Sequence, residues 1–326
     1  MNSGMRVRVC VLAVLLAAGP VAAVPQLQPS PSPKTEINAE EERLYADARP
    51  YMDEPLSELK KTVHELGGVE PDADQGHLSE LLRDVGAKAD ELLRKVPNLI
   101  SDEIVSQTQW TASHYEAPGC VGFGCGKPHD LQQDREFNYI ILTHPAEDRR
   151  QLLEEYRTLR NDKPVQGAGA PHFQGFASAW VVFSSSNQVE SRFRYLGKQK
   201  TDGHSTVVVG FAQIPGSIDY PGKIVASRGS IPMLLQGIAW IDQTDFRIVR
   251  LRTDLLAPQP EIGFQEQTSN IQFGPVRIAV LDSEMWLPQE VDVVMRANGQ
   301  FLREHHRYSR YRLYQAKSKI IFSPNN

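Results

Sequence analysis

Residues 235–255 read LQGIAWIDQTDFRIVRLRTDL, and this stretch decides the fold. Ile238, Ala239, Trp240 and Ile241 are apolar at both parities. That pattern belongs to a strand covered on both faces. Asp242-Gln243-Thr244-Asp245 offers side chains that bond nearby backbone and favour a tight turn. From Phe246 to Leu255 a second strand-like run follows, with Arg250 and Arg252 alternating along it. Two such runs joined by a short turn should lie side by side and antiparallel.

The same grammar continues on both sides. Ile262–Phe273, Glu290–Arg296 and Gln300–Tyr314 read as strands, the last two joined through Ala297-Asn298-Gly299. Asn-Gly is a strong hairpin signal because both turn residues accept positive φ. Upstream, Ser191–Gln213 reads as a hairpin about Asp202-Gly203, and Val207–Phe211 is again apolar at both parities. Phe137–His144 is a strand by its aromatic and β-branched content. Leu99–Thr111 is long and mostly polar, which suggests an edge strand. Leu152–Leu159 fits either period, and Asn161-Asp162 after it favours a strand. Phe176–Phe183 fits a short helix or a buried strand. Residues 98–316 are thus expected to form an antiparallel β domain, with 317–326 as a tail.

Residues 37–97 carry a different period. Leu56, Leu59, Val63 and Leu66 follow Pro55 at helical spacing, and Gly67-Gly68 ends the run. A wider stripe from Leu78 to Val96 stops at Pro97. Amphipathic helices need a partner surface. A dimer seam would serve, but packing on the chain's own sheet is the commoner use. The expected class is α+β, with an N-terminal helical region on an antiparallel sheet.

The chain has 326 residues, 40% apolar and 23% charged. This composition excludes a polytopic membrane protein, a collagen and a wholly disordered chain. Residues 1–23 read as a signal peptide: Arg6 and Arg8, an apolar run from Val9 to Ala18, and a small-residue site at Val21-Ala22-Ala23. The run is shorter than the ~20 residues that span a bilayer, and no later segment is apolar enough to cross. Residues 24–36 alternate Pro and Ser as an extended linker. The mature protein is expected in the periplasm or outside the cell. Its acidic residues 36–103 and basic residues 290–320 can complement each other, and a net charge of −5 lacks the basic surplus of a nucleic-acid binder.

Export also bears on Cys120 and Cys125, the two cysteines that remain after cleavage. With His114 and His129 they offer two thiolates and two imidazoles, a set suited to tetrahedral zinc. An oxidising compartment favours a Cys120–Cys125 disulfide, so no metal is expected. The chain holds no G-x-S-x-G elbow, phosphate loop, G-x-G-x-x-G turn or H-E-x-x-H helix, and no cofactor is expected. His305 and His306 should point to opposite faces of their strand. The arginine pairs Arg192/Arg194, Arg250/Arg252 and Arg310/Arg312 could line a surface for anionic headgroups, although a solvated sheet face shows the same alternation.

Gly237-Ile238-Ala239-Trp240-Ile241-Asp242, Arg247-Ile248-Val249-Arg250 and Trp286-Leu287-Pro288 carry a resemblance. Here the chain resembles LolA-like exported bacterial proteins of the outer-membrane lipoprotein-sorting type, and related secreted proteins of unassigned function. The resemblance spans roughly residues 99–314. It implies a strongly curved antiparallel sheet, an incomplete β-barrel closed by helices over an apolar cavity. It also implies an apolar or lipidic ligand, a lipoprotein among the candidates. The helices at 37–97 and the Cys120–Cys125 loop lie outside the shared pattern.

Strand parity then selects a lining. Phe193 and Tyr195 oppose Arg192 and Arg194, while Val293 and Met295 oppose Asp292 and Arg296. With Phe211 and Trp240 they are expected to form a concave apolar surface that receives the ligand. The function expected is that of a non-enzymatic binding protein. The alternatives are a hydrolase assembled from scattered residues, and an envelope interaction protein whose interior is filled by side chains.

Overall fold

Two hairpin turns fix the register of the sheet. Asp202-Gly203 takes φ of 51° and 85°, and Asn298-Gly299 takes 51° and 72°. Paired positive φ values match the twist of the strands they join. The computed structural model describes residues 8–9, 15–16, 45–46, 48–111, 131–145, 151–160, 175–218, 222–226, 229–279, 281 and 284–314.

The helices are α1 (Leu56–Thr62) and α2 (Leu78–Lys95), with a 3₁₀ turn at His64–Gly68 between them. Glu91, between Lys88 and Lys95 on α2, is held down at about 2, chiefly by its hydrogen bonds to those lysines. Two-residue strands open the series: β1 (Arg8–Val9), β2 (Leu15–Leu16) and β3 (Glu70–Pro71). The long strands begin with β4 (Leu99–Thr111), β5 (Leu131–Pro145) and β6 (Gln151–Leu159). The first described hairpin is β7 (Ser191–Thr201) and β8 (His204–Gln213). After it come β9 (Gly222–Ala226) and β10 (Gly229–Met233). The C-terminal run is β11 (Leu235–Asp242), β12 (Ile248–Leu255), β13 (Phe264–Val276), β14 (Met285–Ala297) and β15 (Gln300–Leu313).

The main sheet runs β1-β6-β5-β4-β15-β14-β13-β12-β11-β8-β7-β3. From β6 to β3 every pairing is antiparallel, while β1 adds parallel to β6. The two ends of the order are not joined, so the sheet is open. This is the α+β arrangement expected from sequence, an open curved antiparallel sheet with two helices. A smaller sheet joins β10, β9 and β2.

Leu99–Thr111 is not an edge. It lies between β15 and β5, deep in the sheet. Its polar residues include Glu103 and Gln107, both buried, because partners on other strands meet them. Phe176–Phe183 resolves into a 3₁₀ segment at Ala179–Phe183. Leu152–Leu159 is a strand.

All eight residues of β11 are buried, and two separate layers account for it. Residues 51–68 cover the outer face. Tyr51 donates its backbone N–H to Gln236 Oε1 at 2.8 Å, and Glu65 meets Arg252 at 3.1 Å. Leu59, Val63 and Leu66 are fully buried there. Residues 175–190 and α2 cover the inner face. Phe183 meets Phe211, Phe176 meets His306, and Val85 and Ala89 pack near Trp180, Ile248 and Trp286. The amphipathic stripes thus pack on the chain's own sheet. Gly237 permits the Phe211 ring to lie across β11, since a Cβ there would meet that ring at 2.6 Å.

Candidate functional site

The hydrogen-bonded register shows which side chains share a face. Phe193 pairs with Phe211, Phe211 with Gly237, Gly237 with Thr253, Thr253 with Ser269, and Ser269 with Val293. The row continues from Val293 to Glu304 and Gln107. Directly opposed residues point the same way. Phe193, Phe211 and Val293 are therefore on the inner face, with Tyr195 and Met295 two residues along their strands.

Trp240 is on the other face. It pairs with Val208 and Arg250, one position out of phase with Phe211 and Val209. It is completely buried. Its Nε1–H donates to Gln199 Oε1 at 2.9 Å, and the Arg250 guanidinium lies 5.9 Å from its ring. The six expected lining residues thus divide five and one. A strand apolar at both parities gives no sign of which face is which, and only the register with β8 settles it.

The inner face is itself divided. At the β7–β8 end, Phe183 descends from its 3₁₀ segment and contacts Phe193 at 5.3 Å and Phe211 at 5.6 Å between ring centroids. Across β13–β15 and β4 the face turns polar, with Gln267, Ser269, Glu304 and Gln107 buried beside Val293 and Met295. Gln107 Nε2 donates to Glu304 Oε1 at 2.6 Å.

This polar region centres on a charged array that no sequence motif marked. Glu103, Glu304 and His306 are wholly buried, and the Arg157 side chain is 5% exposed. His306 Nδ1 is 2.9 Å from Glu103 and its Nε2 is 3.1 Å from Glu304. Arg157 forks onto Glu103, with Nη2 to Oε1 at 2.7 Å. Burial works against charge on both His306 and Glu103. The two carboxylates nonetheless push His306 up, and Arg157 with His306 holds Glu103 at about 2. Both ring nitrogens of His306 are committed to carboxylates, so neither is free to take a proton from a substrate. The array reads as a balanced set of two anions and two cations. His305 faces the other way and meets Asp292 at 3.2 Å.

Nearby, Glu155 accepts from the Gly175 and Ser178 N–H groups at 2.8 and 2.9 Å, from Ser178 Oγ and from Tyr139. Burial raises its carboxyl in spite of these donors. This contact ties residues 175–178 to the inner face.

Phe193 is partly exposed at the β7 edge, with the buried Tyr195 beside it. A groove of about 410 Å³ opens there, lined by Met52, Leu56, Phe193, Tyr195 and Leu196, with Arg192 and Arg194 beside them. Pro71, Asp72, Ala73 and Gln75 complete its far wall. Gln75 closes part of the edge by acting as a strand partner. Its amide donates to Tyr195 O at 3.0 Å, and its Oε1 accepts from Tyr195 N at 2.9 Å. Arg192 forks onto Asp53, with one bond of 3.0 Å, while Arg194 donates to the carbonyls of Met52 and Glu54. Arg194 thus brings a positive charge to the groove with no carboxylate of the described residues bonded to it.

No family model matches the chain. No curated protein matches it in sequence. Among solved structures the chain is similar to a DUF1329 family protein from Desulfovibrio piger. That match has 9% identity and TM-score 0.39, and covers 73% of this chain and 94% of that one. It is similar to a candidate outer membrane lipoprotein-sorting protein domain from Vibrio parahaemolyticus, at 12% identity and TM-score 0.36, over 74% and 93%. A third is the Mycobacterium tuberculosis lipoprotein LppX, at 9% identity and TM-score 0.23, over 72% and 95%. The lipoprotein-sorting kind named from the Gly237–Asp242 and Trp286–Pro288 motifs is thus present among the structural neighbours. At these scores nothing about their ligands passes to this chain.

Among the described residues no cluster of three or more His, Cys, Asp or Glu side chains is arranged to hold a metal ion. No described helix is long and apolar enough to cross a membrane. Cys120, Cys125, His114 and His129 lie outside the described residues.

Proposed function

We propose that the protein is an exported, non-enzymatic binding protein that takes an apolar or lipidic ligand at the β7 edge of its curved sheet. The observation that carries this reading is the groove of about 410 Å³ in whose wall the partly exposed Phe193 and Leu56 lie beside the buried Met52, Tyr195 and Leu196. Its volume falls within the ~300–1,000 Å³ of small-molecule sites. Apolar walls give the driving force, at about 0.8 kcal/mol for each ligand methylene withdrawn from water before the costs of association. Arg194 suits an acidic head on such a ligand. Phe211 packs against Phe193 from within, and Val293 and Met295, on β14, are not part of the groove.

A second reading is favoured by Phe183, which is wholly buried against Phe193 and Phe211. An interior filled in this way suits an envelope interaction protein that carries no ligand. Titration with an environment-sensitive fatty-acid probe separates the two. Saturable binding is expected for the wild type. It should be lost in Ala73→Trp, which fills the groove from an exposed position. A wild type without saturable binding, or an Ala73→Trp protein that binds equally well, refutes the ligand reading.

A further inference from the structure

The outer face of β4 and β15 carries a second constellation. Asp102 is 2% exposed, although it points outward, because three arginines close over it. Arg160 Nη1 lies 2.9 Å from Oδ2, Arg312 Nη1 lies 3.1 Å from Oδ1, and Arg310 Nη2 also meets Oδ2. Burial raises the Asp102 carboxyl, yet hydrogen bonds from Arg312, Arg160 and Arg310 hold it below its ordinary value. One further acid, the exposed Glu136, meets Arg160 Nε at 3.2 Å. Among the described residues, three guanidiniums and two carboxylates leave the cluster one positive charge in surplus.

The backbone is shaped to bring these groups together. Between Ser309 and Arg312 the β15–β4 register slips, so that β15 carries one residue more than β4. Arg310 absorbs the bulge with φ of 53°. A side chain other than glycine is strained there, and bulges serve to re-aim side chains. Here the bulge keeps Tyr311 on the buried side while Arg310 and Arg312 remain exposed over Asp102. Arg160 and Arg312 already meet both oxygens of the buried Asp102, so the 70% exposed Arg310 is a third cation beyond what pairing that carboxylate needs.

We infer that Arg160, Arg310 and Arg312 form a binding site for a phosphoryl group on the outer face of the sheet. Asp102 acts as the anchor that converges the three forks. Arg160, Arg310 and Arg312 are 35%, 70% and 50% exposed, so N–H edges remain open to solvent. Guanidinium forks match the oxygens of phosphate with two parallel hydrogen bonds each. A carboxylate presents two oxygens and suits one fork, whereas a phosphoryl group presents three and carries enough charge to offset the surplus. Convergence before binding lowers the entropy lost on association. The group could belong to a soluble phosphate ester or to a phospholipid headgroup, and the site chemistry is the same for both.

The test titrates the full chain with sodium phosphate at low ionic strength, by calorimetry, in four forms: wild type, Arg312→Gln, Arg310→Gly and Arg277→Gln. Arg310→Gly suits the positive φ, and Arg277 pairs with Glu284 and is not among the arginines that meet Asp102. One saturable site is expected in wild type and Arg277→Gln, with affinity at least about tenfold weaker in the other two. Flotation with phosphatidylglycerol vesicles, against phosphatidylcholine controls, then assigns the source. Retention that phosphate displaces identifies a headgroup, and phosphate binding without retention identifies a soluble ester. A wild type with no saturable phosphate site, or an Arg312→Gln protein that binds phosphate as well as wild type, overturns the inference.

Discussion

Arg157→Met probes the buried array on the inner face. The substitution keeps an unbranched apolar stem near Phe137 and Tyr139, whose ring centroids lie 6.0 and 5.7 Å from the guanidinium carbon. It deletes the fork on Glu103. Glu103 and Glu304 would then share one cation, His306, at full burial. The Arg157 and Glu103 side chains are 5% and 0% exposed, so solvent screening gives no relief. Removing one partner of such a pair costs about 3–5 kcal/mol. Removing both in Arg157→Met/Glu103→Leu should cost far less than the sum of the two single changes, with a coupling of about 1–3 kcal/mol. Urea unfolding at neutral pH, followed by circular dichroism, measures all four proteins. A loss below about 1 kcal/mol in Arg157→Met, or additive single changes, would show that water enters the array and that the burial argument is wrong.

Other expectations follow from the same contacts. The histidine of the array is raised above its ordinary value, so its contribution to stability is complete below about pH 6.5 and declines as pH rises through the folded value. The melting temperature should fall on that alkaline side, and His306→Gln should lose that dependence; a slope of the same size in the variant would remove His306 from the account. Phe183→Ala should cost about 3–5 kcal/mol by leaving a cavity between Phe193 and Phe211. Chemical denaturation that shows a loss under about 1 kcal/mol would mean that Phe183 does not fill the inner face. Gly237→Ala should destabilise by about 1–3 kcal/mol, since its Cβ would meet Arg252 O at 2.1 Å and the Phe211 ring at 2.6 Å. A melting temperature equal to wild type would contradict that packing.

The C-terminal strands were legible because alternation and turn chemistry are local. Asn298-Gly299 and Asp202-Gly203 announce their hairpins within two residues, and both take the backbone that such turns require. Burial of polar residues was not legible in this way. Glu103 and Gln107 make Leu99–Thr111 look solvated until their partners are known, and those partners lie 54 and 197 residues away. The parity of Leu302, Glu304 and His306 does place them on one face, and that face is buried. The groove had no local signal, because segments at 52–56 and 71–75 meet β7 only through the tertiary fold. Trp240 shows the complementary failure, in which a strand apolar on both sides conceals its orientation.

The central claim is that an apolar ligand occupies the edge groove, and photo-crosslinking tests it most directly. The full chain is irradiated with a fatty acid that carries a diazirine on its acyl chain, and the labelled peptides are mapped by mass spectrometry. The account predicts labels at Met52, Leu56 and the β7 residues Phe193–Leu196, suppressed by excess unlabelled fatty acid and absent in Ala73→Trp. Labelling scattered over the surface, or confined to sites away from the groove and unchanged in Ala73→Trp, would contradict it.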